Sequence, residues 1–373
     1  MRIAQVSPLY ESVPPKLYGG TERVVSFLTE ALVDLGHDVT LFASGDSQTR
    51  ARLVAGAPRA LRLNRGCQDP IAHHLNMLER VFERAGEFDV IHFHVDYFGL
   101  PLARRHGVPY VTTQHGRMDI PDLEPLYRTF GEAPLVSISD AQRAPLPFAS
   151  WLATVYHGLP RDLLSFHPGP GRYLAFLGRI SPEKRVDRAI DIARRLDMPL
   201  KIAAKIDKAD REYYEAEIAP LFADPHVEFV GEIGEDEKDA FLGDAAALIF
   251  PIDWPEPFGL VMIEAMACGT PVVAFRCGSV PEVMRDGVSG FVVDTVDEAV
   301  EATARAVQLP RAVCRAYFEE RFLAQRMAQD YVDVYRAAVA ASGRPNAGGR
   351  AALSIAALTQ DDDLDSPAEP VDA

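Results

Sequence analysis

Apolar positions in this chain fall into short runs separated by stretches of helical spacing. Residues 2–7 (Arg-Ile-Ala-Gln-Val-Ser) read as a buried parallel strand. A loop from Pro8 to Tyr18 leads through Gly19-Gly20-Thr21-Glu22 into a segment whose Val24, Val25, Leu28, Leu32 and Leu35 share one helical face, closed by Gly36. Val39–Ala43 is the next strand. Alternation continues through Phe88–Phe93, the helical Tyr97–His106, Pro109–Thr113 and Leu135–Ser139. Such alternation predicts a doubly wound α/β sheet.

A second series follows the break His167-Pro168-Gly169-Pro170-Gly171. Tyr173–Leu177 is its first strand and Lys184–Leu196 its first helix. Pro199–Ala204, Val227–Val230, Leu248–Phe250, Val272–Phe275 and Phe291–Val293 are further strands, and helical patterns run from about Val296 to Ala341. The length of 373 residues fits two domains. Two such sheets imply a cleft between them, with ligands beyond the strand C-termini. The predicted boundaries are 1–167, 168–320, a C-terminal helix over 321–341 and a disordered acidic tail over 342–373.

Composition narrows the function classes. An apolar content of 48% with 25% charged residues is that of a soluble globular protein. The formal net charge of −16 argues against nucleic-acid binding, although Asp361, Asp362, Asp363 and Asp365 carry part of it. No run reaches the roughly 18 apolar residues of a membrane span, and Met1 to Val6 lacks a signal-peptide layout. Cys67, Cys268, Cys277 and Cys314 have no CxxC spacing and fit reduced thiols, so the expected location is cytoplasmic. The arginine-bearing loop Arg50 to Asp69 and the segment Arg344 to Leu358 are the places where peripheral membrane contact is conceivable; solvated surface and plain linker are the simpler readings.

The candidate chemistry centres on Phe250 to Ala274. Pro255 and Pro257 stiffen the backbone on either side of Glu256, and Gly259 stands where a helix begins. A helix start offers free N–H groups and positive potential to an anion. Glu264 follows in that helix, with seven residues between it and Glu256. Arg179 and Lys184, in Leu-Gly-Arg-Ile-Ser-Pro-Glu-Lys-Arg, flank another helix start; they form a natural diphosphate clamp, or a solvated charged surface if the segment is taken alone. Two such cations remove the need for a divalent metal. Gly19-Gly20 lets backbone N–H groups approach an anion or simply makes a tight turn, and it lacks the dinucleotide fingerprint GxGxxG. His115, just beyond Pro109–Thr113, is placed to bond a sugar hydroxyl or a leaving phosphate. His92 and His94 share a strand face but have no third ligand, so no metal site is expected. An acid/base pairing of Glu256 with Glu264 is disfavoured by their separation along loop and helix.

Together these residues resemble the family-4 retaining glycosyltransferases of GT-B architecture. The resemblance rests on Tyr18-Gly19-Gly20-Thr21-Glu22, Thr113-Gln114-His115-Gly116, Gly178-Arg179 with Glu183-Lys184, and Pro255-Glu256-Pro257-Phe258-Gly259 through Glu264. Gly269-Thr270-Pro271-Val272-Val273-Ala274 and Gly287-Val288-Ser289-Gly290-Phe291 extend it over roughly residues 1–340. It implies an N-terminal Rossmann-like acceptor domain, a C-terminal domain holding a nucleotide-diphosphate sugar, and a final helix packing back on the first domain. Arg179 and Lys184 would hold the diphosphate with backbone N–H groups near Phe258, Gly259 and Leu260. Glu256 would contact the sugar, Glu264 the ribose, and the turn Gly231 to Ile233 would seat the base. His115, Gly19 and Gly20 would complete the site, where an unknown hydroxyl acceptor enters. The implied reaction is metal-independent and cofactor-free hexosyl transfer with retention, on one face of the sugar. Two departures stand out: Arg185 where the family often has glycine, and His157-Gly158 in place of Asn-Gly, neither expected to touch the clamp. Alternatives are a GT-B nucleotide-sugar epimerase, a nicotinamide oxidoreductase, which the missing GxGxxG disfavours, and a non-catalytic sugar-nucleotide sensor.

Overall fold

In the computed structural model, which describes residues 1–16 and 19–342, both series become parallel sheets. Expectations for Tyr18, for the tail from 343 onward and for Arg344 to Leu358 lie outside these residues. The first sheet contains β1 (Arg2–Val6), β2 (Asp38–Ser44), β3 (Arg52–Ala57), β4 (Val90–Phe93), β5 (Tyr110–Thr113), β6 (Leu135–Ser137) and β7 (Trp151–Thr154). The second contains β8 (Tyr173–Arg179), β9 (Leu200–Lys205), β10 (Val227–Gly231), β11 (Ala245–Phe250), β12 (Val272–Phe275) and β13 (Gly290–Val293). Their orders are β3-β2-β1-β4-β5-β6-β7 and β10-β9-β8-β11-β12-β13. In each sheet the first strand lies inside, Ile3 pairing with both Val39 and Val90. Connections therefore diverge from β1 and from β8, and the crevice this opens at the strand C-termini is where such folds bind ligands.

Burial explains the strand pattern. Ile3, Ala4 and Val6, and likewise Leu248 and Ile249, are covered on both faces, which continuous apolar strands require. In the helix Gly20–Asp34, Val24, Val25, Leu28 and Leu32 are buried, but Leu35 is exposed because the helix has already ended there. The helix expected from Tyr97 begins only at Leu100, and the one expected from Lys184 begins at Val186 after a short 3-10 turn.

Two strands escaped the sequence pattern. β3 falls inside the supposed Arg50–Asp69 surface loop, and β7 is a half-buried edge strand. Three of the five arginines of that loop are engaged within the fold. Arg50 bonds Glu30 and Asp34, Arg52 bonds Thr40, and Arg62 lies 3.2 Å from Glu11.

The last helix, Ala324–Ala341, runs back over the first sheet and packs against Gly20–Asp34. On the side of the second domain, Glu282 accepts hydrogen bonds of 2.7 Å from the backbone N–H groups of both Asp140 and Ala141, capping a short helix of the first domain. Tyr156 also donates to Glu282 at 3.1 Å.

Candidate active site

The cleft between the sheets has a volume of about 650 Å³ and is lined from both domains. On the C-terminal side, β8 delivers Arg179 at its end, where the guanidinium meets Glu183 and lies 3.5 Å from Asp210 and 3.7 Å from Asp207. After the turn Pro182–Lys184, Arg185 takes a left-handed conformation, φ +52°, before the helix Val186–Leu196. That reversal carries Lys184 into the cleft, where it forms an ion pair with Glu256. The ammonium also lies 4.8 Å from the centre of the Trp254 ring, and the Trp254 Nε1–H donates to Glu256 at 3.1 Å.

Glu256 is fixed by close backbone packing. A Cβ at Gly278 would fall 2.3 Å from the Glu256 carbonyl oxygen, so only glycine fits there. The next residue, Ser279, donates from its backbone N–H to Glu256 O at 3.0 Å and from Oγ to Phe258 O at 3.0 Å. Phe258 is buried, and Gly259, at φ +78°, turns the chain into the helix Leu260–Ala267. Glu264 sits inside that helix, buried, with Lys238 Nζ at 2.6 Å. The two glutamates thus have separate cations, Lys184 and Lys238, and do not form a carboxylate pair. Ile233 lies beyond the left-handed Gly231, φ +82°, and also lines the cleft.

The N-terminal side combines neutral rings and amides, centred on His94 and His115, with the charged Glu22, Arg23, Arg62 and Asp96 around them. Gly19 precedes the helix Gly20–Asp34, and a Cβ on Gly20 would lie 3.8 Å from the Leu260 side chain, so this turn meets the helix start of the other domain. Arg23, one turn further, pairs with Glu235 of that domain. Below them, the Gln5 amide donates to Tyr335 Oη at 2.9 Å, and its oxygen accepts from His94 Nε2–H at 2.7 Å. His94 Nδ1 then accepts from His115 Nε2–H at 2.9 Å. This order leaves His115 Nδ1 as an acceptor, buried and without a partner among the described residues. Burial pushes the His115 imidazole down to about 3, so the ring is neutral. A neutral ring with its lone pair on Nδ1 suits a hydroxyl donor and not a phosphate oxygen, which narrows the expectation for His115.

His92 and His94 lie with ring centres 3.9 Å apart and planes tilted by 41°, and burial lowers both well below the usual range. His92 bonds Tyr335 and Thr113, each at 2.7 Å, so the nitrogens of this pair are engaged in hydrogen bonds. Among the described residues no group of three His, Cys, Asp or Glu is placed to hold a metal ion.

His157 borders the site from the N-terminal side, its ring stacking on His115 at 5.4 Å and meeting Phe258 edge-on at 4.8 Å. Arg185 stays outside the clamp, bonded to Asp187 and Asp253. Sequence reasoning missed Lys238, Trp254, Gln5 and the tyrosines of the last helix. Trp254 lies beside the Pro-Glu-Pro signal and was the one findable locally; the others come together only through the fold.

Two doubly wound domains facing across such a cleft define the GT-B architecture. The pattern described as "Glycosyl transferases group 1" matches residues 165–319, and that described as "Glycosyltransferase Family 4" matches residues 18–153. A D-inositol 3-phosphate glycosyltransferase of Saccharomonospora viridis is 31% identical over 315 residues, covering 70% of this chain and 72% of the relative. AviGT4, a glycosyltransferase involved in avilamycin A biosynthesis, superposes with a TM-score of 0.70 at 24% identity over 91% of this chain and 98% of its own. Anabaena HepE in complex with UDP and glucose gives a TM-score of 0.70 at 18% identity over 90% and 100%. The chain belongs to the family-4, group 1 glycosyltransferases. Among the described residues no helix is long and apolar enough to cross a membrane.

Proposed function

We propose that the chain transfers a hexosyl unit from a nucleotide-diphosphate sugar to an acceptor hydroxyl, with retention of anomeric configuration, without a metal or cofactor, in the cytoplasm. The observation that carries this reading is the joined set Lys184, Glu256, Trp254 and the Gly259 helix start, facing a neutral His115. In this reading Lys184 and Arg179 exchange carboxylate partners for the diphosphate, assisted by the N–H groups after Phe258. Glu256, freed from Lys184, binds donor-sugar hydroxyls; Glu264 holds the ribose, and Ile233 seats the base. His115 accepts a hydrogen bond from a sugar hydroxyl, meeting its open Nδ1.

Retention by a same-face reaction fits the wall chemistry. Glu256, the carboxylate this reading places on the sugar, is tied to a lysine and an indole, which suits binding better than attack on carbon. The departing phosphate then takes the acceptor proton. Charge that develops on the leaving group is met by two cations and oriented N–H groups, so the residues themselves supply what a divalent ion would. The four free cysteines support a reducing compartment.

A panel of nucleotide sugars tests the reading, with UDP-sugars first because a structure of the same fold holds UDP. One donor is expected to raise Tm and to be hydrolysed slowly, with product of unchanged anomeric configuration by NMR and a rate unmoved by chelator. An inverted product or loss of activity on chelation overturns the corresponding part. Formation of an epimer without acceptor would favour the isomerase instead.

A further inference from the structure

On the N-terminal side the cleft extends along Tyr10, Arg62, His74, Asp96 and Phe98. His74 is the keystone of this lobe. It is 1% exposed, its Nδ1–H donates to Pro70 O at 2.7 Å, and its Nε2 accepts from the Leu9 N–H at 3.0 Å. Its ring lies 5.0 Å from Tyr10 and 5.8 Å from Phe98, centre to centre, which sets both aromatic rings along one wall. The Arg62 N–H donates to Tyr10 O at 3.0 Å, so the loop that carries Tyr10 is anchored.

Asp96 stands beside that wall in a left-handed backbone conformation, φ +50°, a region that aspartate and asparagine tolerate better than most side chains. Thr112 Oγ1 holds the turn by donating to Asp96 O at 2.9 Å. The Asp96 carboxylate makes no hydrogen bond or ion pair with any described residue. Asp96 is exposed to the cleft, and the protein around it desolvates the carboxylate enough to raise its pKa. An unpartnered carboxylate beside aromatic faces is a recognised arrangement for a ring bearing hydroxyl donors.

The charge of the lobe selects among such rings. Arg62 already lies 3.2 Å from the buried Glu11, and Glu22 is buried nearby. A phosphate dianion entering here would meet Asp96, Glu11 and Glu22, while the nearby cations Arg62, Lys205 and Arg23 already lie against Glu11, Asp207 and Glu235.

We propose that this lobe receives the acceptor as an unphosphorylated polyhydroxylated ring, its face on Tyr10 and Phe98 and its hydroxyls on Asp96. The inference rests on the transferase reading above, and it departs from the phosphorylated inositol in the name of the S. viridis relative.

The test pairs free hexoses, alkyl hexosides and myo-inositol with their phosphorylated counterparts, using whichever donor the panel selects. The unphosphorylated member of a pair is expected to have a kcat/KM at least tenfold higher. Asp96→Asn keeps a residue tolerant of the left-handed region, and it is expected to raise acceptor KM at least tenfold while donor KM moves less than twofold. Preference for phosphorylated members, or an unchanged acceptor KM in Asp96→Asn, overturns the proposal. Donor hydrolysis without acceptor separates the two readings: if the native chain hydrolyses a donor, either adverse result falls on the acceptor inference alone. If it hydrolyses none and transfers to nothing, the transferase reading beneath it fails as well.

Discussion

On the C-terminal wall of the cleft Arg179, Lys184 and Lys238 each lie against carboxylates, whereas the opposite wall is centred on neutral histidines backed by the buried Gln5 amide and Tyr335 hydroxyl, with its charged residues Glu22, Arg23, Arg62 and Asp96 set around that chain. The first wall stores charge in pairs that an anionic ligand can exchange. The second fixes geometry through a hydrogen-bond chain in which no member carries a formal charge. Electrostatic work and positioning work are thus divided between the domains, and a cleft of this kind joins them only when both face the same ligand.

The sharpest way to break this division is at Lys184. Its side chain and that of Glu256 are only 18% and 12% exposed, but Trp254 still bonds Glu256 when the lysine is gone, so the loop keeps a partner. Lys184→Ala and Glu256→Ala are each expected to retain the fold by circular dichroism. Each should lose about 100- to 1,000-fold in transfer rate, roughly 3–4 kcal/mol of transition-state stabilisation. Near-normal turnover in either purified variant would remove the C-terminal wall from the chemistry.

The same division decides what the sequence could reveal. Arg179 and Lys184 lie six positions or fewer from a strand end, and Trp254 through Glu264 span one loop and one helix. Short-range features of this type are readable because strand, turn and helix start are local. The opposite wall joins Gln5, His94, His115, His157 and Tyr335 from five distant segments, and only the sheet order brings them together. Within it, His115 was visible because it lies just past the end of a strand. His157 was visible as an oddity whose contacts the sequence did not reveal. β3 was missed because Arg52 to Ala57 alternates weakly and carries Gly56, so its edge pairing with β2 has no strong pattern. Lys238 was missed because it approaches Glu264 from a helix 26 residues away.

A smaller effect probes the neutral wall through pH. Burial lowers the folded pKa of His92, His94, His115 and His157 below the unfolded value of about 6.5. The unfolded chain therefore binds more protons in acid, and stability is lost as pH falls below about 6.5. For His115, with its folded value about 3, the loss at pH 5.5 is about 1.4 kcal/mol; the other three act in the same sense. Glu22, raised by burial, acts in the opposite sense, so a difference between two chains is the cleaner measure. The fall in Tm between pH 7.5 and 5.5 should be smaller in His157→Asn than in the native chain. Equal falls would show that this ring is not held neutral by the fold.

The smallest effect concerns the backbone that presents the charged wall. Arg185 adopts φ +52° directly after Lys184, in a position where the resemblance led one to expect glycine. Its side chain recovers part of the conformational cost through Asp187 and Asp253, but its exposed pairs are worth about 0–1 kcal/mol. Arg185→Gly loses these pairs and relieves about 1–2 kcal/mol of left-handed strain, while making the unfolded chain freer by up to about 1 kcal/mol. The net change should be close to zero. Arg185→Ala loses the pairs and keeps the strain, so glycine should be the more stable of the two by about 1 kcal/mol in urea denaturation. That order reverses the usual preference of alanine over glycine at a helix edge. If alanine proves equal or better, the left-handed turn does not set the approach of Lys184 to the cleft, and the charged wall owes its geometry to the Lys184–Glu256 pair instead.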